Sequence, residues 1–215
     1  MPALCRAIAS ARQDDWVGQE IVHVGSALEY GDIKGDLAEH SAPNPTTLYG
    51  RSKLAGTLQL RRACQRLGLR GLTARLFTVY GPGEHPGRLL PSLIAAAESG
   101  GPLELTSGLQ RRDFTYVEDV ADGLLRLGLA RTAPGDVVNL ATGKLSTVRE
   151  FVQVGAGVLS ISDAQLRFGA LPGRPEEMAH DAVRTTHLEA LTSWTPPTSI
   201  ADGIRMTAEH RKRGL

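Results

Sequence analysis

Apolar and polar positions recur with different periods along the chain, and the changes of period mark its elements. Residues 2–12, rich in Ala, Leu and Ile with Pro2 in the first turn, predict a helix. At 20–25 the β-branched run Ile21-Val-His-Val24, closed by Gly25, predicts a buried strand. Residues 31–47 are dense in Gly, Asp, Pro, Asn and Thr and predict a loop. The stretch 48–67, full of Ala, Leu, Gln and Arg and stopped by Gly68, predicts a long helix. A second strand is expected at 69–77, then a turn-rich segment at 80–87. A helix over 88–99 should break at Gly100-Gly101-Pro102. Short strands near 103–106 and 113–116, a helix at 117–130, a strand at 136–140, a helix begun by Ser146, a strand at 165–168 and a last helix capped by Ser199 complete the pattern.

Strands alternating with helices argue for an α/β architecture with a parallel sheet, in one compact unit with a subordinate C-terminal part. Composition narrows the class. The 41% hydrophobic content is that of an ordinary globular chain, and a net charge of +1 gives no general case for nucleic acid or a membrane surface as partner. Apolar stretches fall far short of the ~20 residues of a spanning helix, and no secretory leader pattern opens the sequence. Cys5 and Cys64 lack metal-ligand spacing, so two reduced thiols, no metal and a cytoplasmic location are expected.

The sharpest chemical signal is Tyr49-Gly-Arg-Ser-Lys53. Residues four apart on a helix share a face, and a cation beside a phenol favours the phenolate, which suits proton exchange with a sugar or alcohol oxygen. Alone, such a pair is most often solvated surface. Ser26 follows a predicted strand, where a hydroxyl could meet the same substrate oxygen; a serine there is otherwise a turn former.

Four segments in order carry a more specific resemblance: Ser26-Ala-Leu-Glu-Tyr-Gly31, Tyr49-Gly-Arg-Ser-Lys53, Arg75-Leu-Phe-Thr-Val-Tyr-Gly-Pro82 and Arg112-Asp-Phe-Thr-Tyr-Val-Glu-Asp119. The closing segment Trp194-Thr-Pro-Pro-Thr-Ser-Ile-Ala-Asp-Gly203 extends it. The chain resembles the extended short-chain dehydrogenase/reductase superfamily, in its NAD-dependent epimerase/dehydratase branch. That resemblance implies a partial Rossmann-like, doubly wound parallel sheet with a small C-terminal α/β lobe. Residues 1–145 would be the C-terminal part of the dinucleotide-binding domain, with a substrate-lobe insert near 80–115, and 146–215 the small substrate-binding lobe. It also implies NAD or NADP as cofactor, a nucleotide-diphosphate sugar as ligand, and a homodimer through the helices at 2–12 and 48–67. Tyr49 would be the catalytic acid/base, Lys53 its tuner and a contact to the nicotinamide ribose, and Ser26 the third catalytic group. Phe77 would border the cofactor, and Thr78 and Arg112 would contact substrate. Arg174 is similar to a second diphosphate contact, with a surface loop arginine the equal alternative.

Departures matter. Thr78 stands where the family usually has Asn. Ala27 and Leu28 replace the acid pair of the dehydratases, and Glu29, one residue off, is expected to point elsewhere; elimination of water is therefore rejected. The turn at 25–30 and the segment 83–91 lean toward the 4-keto-sugar reductases, with epimerases sharing the same site chemistry. No GxGxxG or GxxGxxG occurs in the chain. Aligned on its motifs, Met1 falls at the helix before the serine-bearing strand, so the first half of the nucleotide-binding domain is expected to be missing and dinucleotide binding to be poor. The competing reading is a redox-inactive remnant that binds a nucleotide sugar or a partner subunit.

Overall fold

In the computed structural model, which describes residues 1–13, 15–173 and 181–213, the chain runs α1 (Pro2–Ala11), β1 (Ile21–Ser26), α2 (Leu48–Leu67), β2 (Gly71–Leu76), β3 (Thr78–Tyr80), α3 (Leu89–Ser99), β4 (Leu103–Leu105), β5 (Arg111–Tyr116), α4 (Val117–Leu129), β6 (Asp136–Leu140), β7 (Leu145–Thr147), α5 (Val148–Leu159), β8 (Leu166–Phe168), α6 (Thr186–Thr192) and α7 (Ile200–Lys212). Strands β1, β2 and β6 form a parallel sheet in that order. Ser26 pairs with Leu76, and Leu76 with Leu140, so the three C-terminal ends are level. Helices α1 and α2 cover one face through Cys5, Ile21, Leu60, Cys64 and Leu69. Helices α4 and α6 cover the other, where Val120, Leu127 and Leu188 pack on Leu72, Ala74, Val138 and Leu140. A parallel sheet with helices on both faces is the expected architecture. Among the described residues no helix is long and apolar enough to cross a membrane.

A second layer is built from the sheet β3-β5-β7, the pair β4-β8 and helices α3, α5 and α7. Its core sets an aromatic group, Tyr80, Phe114, Tyr116 and Phe151, among aliphatic side chains. Phe114 and Phe151 stack with centroids 4.3 Å apart, and Tyr80 meets Phe151 edge-on at 5.2 Å.

Three local features depart from the sequence pattern. The strand expected at 69–77 is β2, but directly after Phe77 the chain forms a further short strand, β3, that the pattern does not announce; it lies in the second sheet, which puts this crossing at the junction of the two layers. Ser146 does not begin a helix but belongs to β7, paired with Arg112; Thr147 is the cap of α5, in a reciprocal capping box with Glu150. Helix α6 has no counterpart in the pattern, because seven residues span barely two turns and show little periodicity. Helix α2 behaves as expected, with Thr47 accepting the Gly50 amide at its start and Gly68 left-handed at φ 65° at its end.

Candidate functional site

The C-terminal ends of β1 and β2, the start of α2 and the second layer enclose a cavity of about 820 Å³. This is where parallel α/β sheets place ligands. Ser26, Tyr49, Phe77, Thr78 and Arg112 all line it. Five of the seven residues predicted for the site are thus gathered on one cavity, from segments 86 residues apart at their extremes (112 less 26). Arg174 lies outside the described residues.

Ser26 ends β1 in an extended conformation and caps the following turn: its Oγ accepts the Leu28 amide at 3.2 Å. That bond uses a lone pair and leaves the hydroxyl proton free to donate. Ala27 and Leu28 follow on the cavity wall. Tyr49, in the first turn of α2, is 53% exposed. Gly50 allows this approach, since a Cβ there would collide with the Leu28 carbonyl. Lys53 stands one turn behind, with Nζ 5.5 Å from the Tyr49 ring centroid, so the two share a helix face. Its ammonium donates to the Val24 carbonyl at 3.1 Å.

Across the junction, Arg112 lies on β5 with Nη1 donating to the Arg111 carbonyl at 2.8 Å. Its neighbour Asp113 accepts from the Thr142 amide at 2.9 Å and the Thr142 hydroxyl at 3.0 Å, and burial raises its pKa against those bonds. Arg88 also lines the cavity, as does Glu84. Burial raises the Glu84 pKa, countered by Arg88 Nε at 3.4 Å from Oε1.

The sequence pattern missed a buried polar network beneath the site. Glu29, which the pattern turns away from the substrate, points wholly inward to Arg75 at 3.1 Å. Arg75 lies 4.3 Å from the Tyr30 ring centroid, and the Tyr30 hydroxyl donates to Asn139 Oδ1 at 2.7 Å. One signal was available: an arginine inside the strand Gly71–Leu76, buried at almost every position, demands an internal partner.

The model of the NAD dependent epimerase/dehydratase family matches residues 3–141, and the chain belongs to that family. An uncharacterized UDP-glucose epimerase of Bacillus subtilis is 28% identical over 204 residues, which cover 94% of this chain and 63% of the relative. The dTDP-6-deoxy-L-talose 4-dehydrogenase (NAD(P)(+)) of Kitasatospora kifunensis is 29% identical over 194 residues, covering 86% of this chain and 60% of the relative. The crystal structure of UDP-glucuronic acid 4-epimerase from Bacillus cereus, in complex with UDP-glucuronic acid and NAD, matches with a TM-score of 0.84 at 24% identity. It covers 99% of this chain and 66% of that one, and shows the shared fold. This chain spans about three fifths of the length of the curated relatives it matches.

Proposed function

We propose that the chain binds a nucleotide-diphosphate sugar and handles the proton in an NAD(P)-dependent oxidoreduction of the sugar, as a 4-keto-sugar reductase or a sugar epimerase. The observation that carries the reading is the convergence of Ser26, Tyr49, Thr78 and Arg112 on one cavity, with Lys53 behind Tyr49. The nicotinamide-ribose end of the cofactor fits the residues present. Tyr49 is exposed, and Lys53 has spent one donor of three on Val24, leaving two for ribose hydroxyls. Phe77 would flank the ring. For the pyrophosphate, the described residues offer no glycine-rich strand-to-helix turn. When bound, the cofactor supplies the hydride chemistry.

The chain's own groups then have separable tasks. Tyr49 gives or takes a proton at the sugar oxygen whose carbon changes oxidation state. Ser26 donates its free hydroxyl proton to that same oxygen. Arg112 pairs with the diphosphate, which a guanidinium fork matches in shape and charge. Thr78, a hydroxyl where an amide is usual, contacts the sugar. Dehydration finds less support: the turn after Ser26 presents Ala27 and Leu28, and the Glu29 carboxylate is committed to Arg75.

A thermal-shift panel of UDP- and dTDP-sugars, with and without NAD(H) and NADP(H), tests the reading. At a hundred times Kd a ligand adds about 2.7 kcal/mol, or roughly 5–10 °C for a chain of this size. Arg112→Ala should abolish the shift. No shift from any nucleotide sugar would sink the proposal. The second reading is a nucleotide-sugar binder without redox turnover, in keeping with described residues that offer no glycine-rich strand-to-helix turn. Its signature is a shift with a sugar nucleotide and none with either dinucleotide.

The exposed side chains Leu4 on α1 and Leu58 on α2 support pairing of two copies through these helices. A monomer at micromolar concentration by light scattering would count against it. The buried free thiols Cys5 and Cys64 support a reducing, cytoplasmic setting.

A further inference from the structure

Glu29 is wholly buried, and no step of the proposed chemistry uses it. Its Oε1 accepts the Ser26 amide at 3.0 Å, while Oε2 accepts Thr57 Oγ1 at 3.0 Å and Arg75 Nε at 3.1 Å. Those three donors come from the end of β1, the middle of α2 and β2. Thr57 lies one turn beyond Lys53, and its hydroxyl is also 3.3 Å from the Lys53 carbonyl. Gly25 makes room: a Cβ there would lie 2.5 Å from Glu29 Oε1 and 2.7 Å from Thr73 Cγ2. A buried ion pair adds little net stability over apolar residues of similar volume, because desolvation offsets the attraction. What this one supplies is geometry. With the Ser26 amide held by Glu29 and its Oγ held by Leu28, the serine side chain is fixed in one orientation.

We infer that Glu29 is a positioning residue: its carboxylate, balanced by Arg75, sets the Ser26 hydroxyl relative to the helix that carries Tyr49 and Lys53. The inference rests on the reading of Ser26 and Tyr49 as substrate-facing groups. It also explains the sequence Gly25-Ser26-Ala27-Leu28-Glu29 as one unit, in which the first residue makes space for the last.

The test is amide hydrogen exchange at Ser26 in the full chain, comparing wild type with Glu29→Leu/Arg75→Met. Removing both charges leaves no buried unpaired ion. Losing a charge-assisted bond should speed Ser26 exchange about 10- to 100-fold relative to the amides of the central strand β2. Exchange at Ser26 in step with β2 would overturn the inference. Gly25→Ala, which displaces the carboxylate sterically and keeps both charges, is the second variant; the same selective loss is expected, and its absence has the same force. UDP-glucose and UDP provide the functional readout. In the double variant, affinity for UDP-glucose should fall about 3- to 10-fold while that for UDP, which lacks the sugar, stays unchanged. Equal losses, or none, would show that Glu29 does not act through Ser26. A wild-type chain that binds neither ligand defeats the reading of the cavity, and the Ser26 amide still decides the clamp.

Discussion

Asn139 offers the most exacting test of how the site is held. It is fully buried near the C-terminal end of β6, and its side-chain amide serves three separate segments. Oδ1 accepts the Tyr30 hydroxyl at 2.7 Å; Nδ2 donates to the Leu37 carbonyl at 3.0 Å and the Arg184 carbonyl at 3.1 Å. Tyr30 follows the Ser26 turn, and Leu37 lies in the loop that leads into α2. Asn139→Ala takes these partners from the Tyr30 hydroxyl and the partly buried Arg184 carbonyl, while the Leu37 carbonyl keeps the Arg184 amide at 3.0 Å. At about 1–3 kcal/mol for each of these two groups, reduced where water enters, the cost is roughly 2–5 kcal/mol. For a chain of this length that lowers Tm by roughly 4–20 °C.

Tyr30→Phe is the control. It removes the bond to Asn139 and the Arg75 hydrogen bond to the phenol, and leaves Asn139 Oδ1 without its donor, so about 1–2 kcal/mol is expected. Burial pushes the Tyr30 phenol up, which keeps it a donor throughout the neutral range. Because both variants break the same bond, the double variant should cost less than the two singles added, by at least about 0.5 kcal/mol. Urea unfolding gives the energies, and amide exchange over 31–47 shows whether the loop loosens first. Asn139→Ala within about 0.5 kcal/mol of wild type, or strict additivity with Tyr30→Phe, would refute the reasoning.

Three further outcomes are expected. Gly203→Ala should destabilise by about 1–3 kcal/mol in thermal unfolding, because its Cβ would collide with Tyr80, which is locked against Phe151; an unchanged Tm would contradict the packing. Burial lowers the His23 pKa from 6.5, against the raising pull of Glu29, with Lys53 and the N-terminus adding to the lowering. The unfolded chain then binds more protons below pH 6.5, so this stability is full above 6.5 and lost as pH falls toward the folded pKa. Glu84 and Asp113, raised by burial, act in the opposite sense, so the readout is the difference between wild type and His23→Leu from pH 7 to 5; a constant difference would refute the assignment. Titrated with NADH, the 215-residue chain should bind more weakly than micromolar, since the contacts available from Tyr49 and Lys53 cannot offset the immobilisation of so large a ligand. Micromolar or tighter binding by calorimetry would show otherwise.

What the sequence could and could not announce divides along contact distance. Tyr49 and Lys53 are legible because four residues along a helix fix their shared face, and Ser26 because a strand followed by a turn puts its last residue at the sheet's edge. The limits of α2 are legible because Thr47 is a local start signal and Gly68 a local stop signal. The strand after Phe77 is not: Thr78-Val-Tyr80 is too short to stand out before the turn at Gly81, and it takes its place by pairing with β5 and packing Tyr80 into the second core. Nor is what receives Glu29 once it points away from the substrate, because its partner Arg75 is 46 residues away and Tyr30 finds Asn139 across 109.

Those long-range bonds do a different job from the local patterns. A helix can bring Tyr49 and Lys53 together unaided, but nothing within α2 specifies where Ser26 lies with respect to them. That distance is set by a carboxylate that touches β1, α2 and β2 at once, and by an amide that ties the turn and the loop to β6. Apolar packing alone would tolerate a slide of α2 along the sheet at small cost, since dispersion contacts are many and non-directional. Directional bonds to a buried charge do not tolerate it, because each ångström of slide leaves a donor or an ion without its partner. The chemical groups are thus encoded locally and their alignment at a distance. The matched substitution Glu29→Leu/Arg75→Met, although it touches no ligand, should therefore degrade sugar recognition before it degrades the fold.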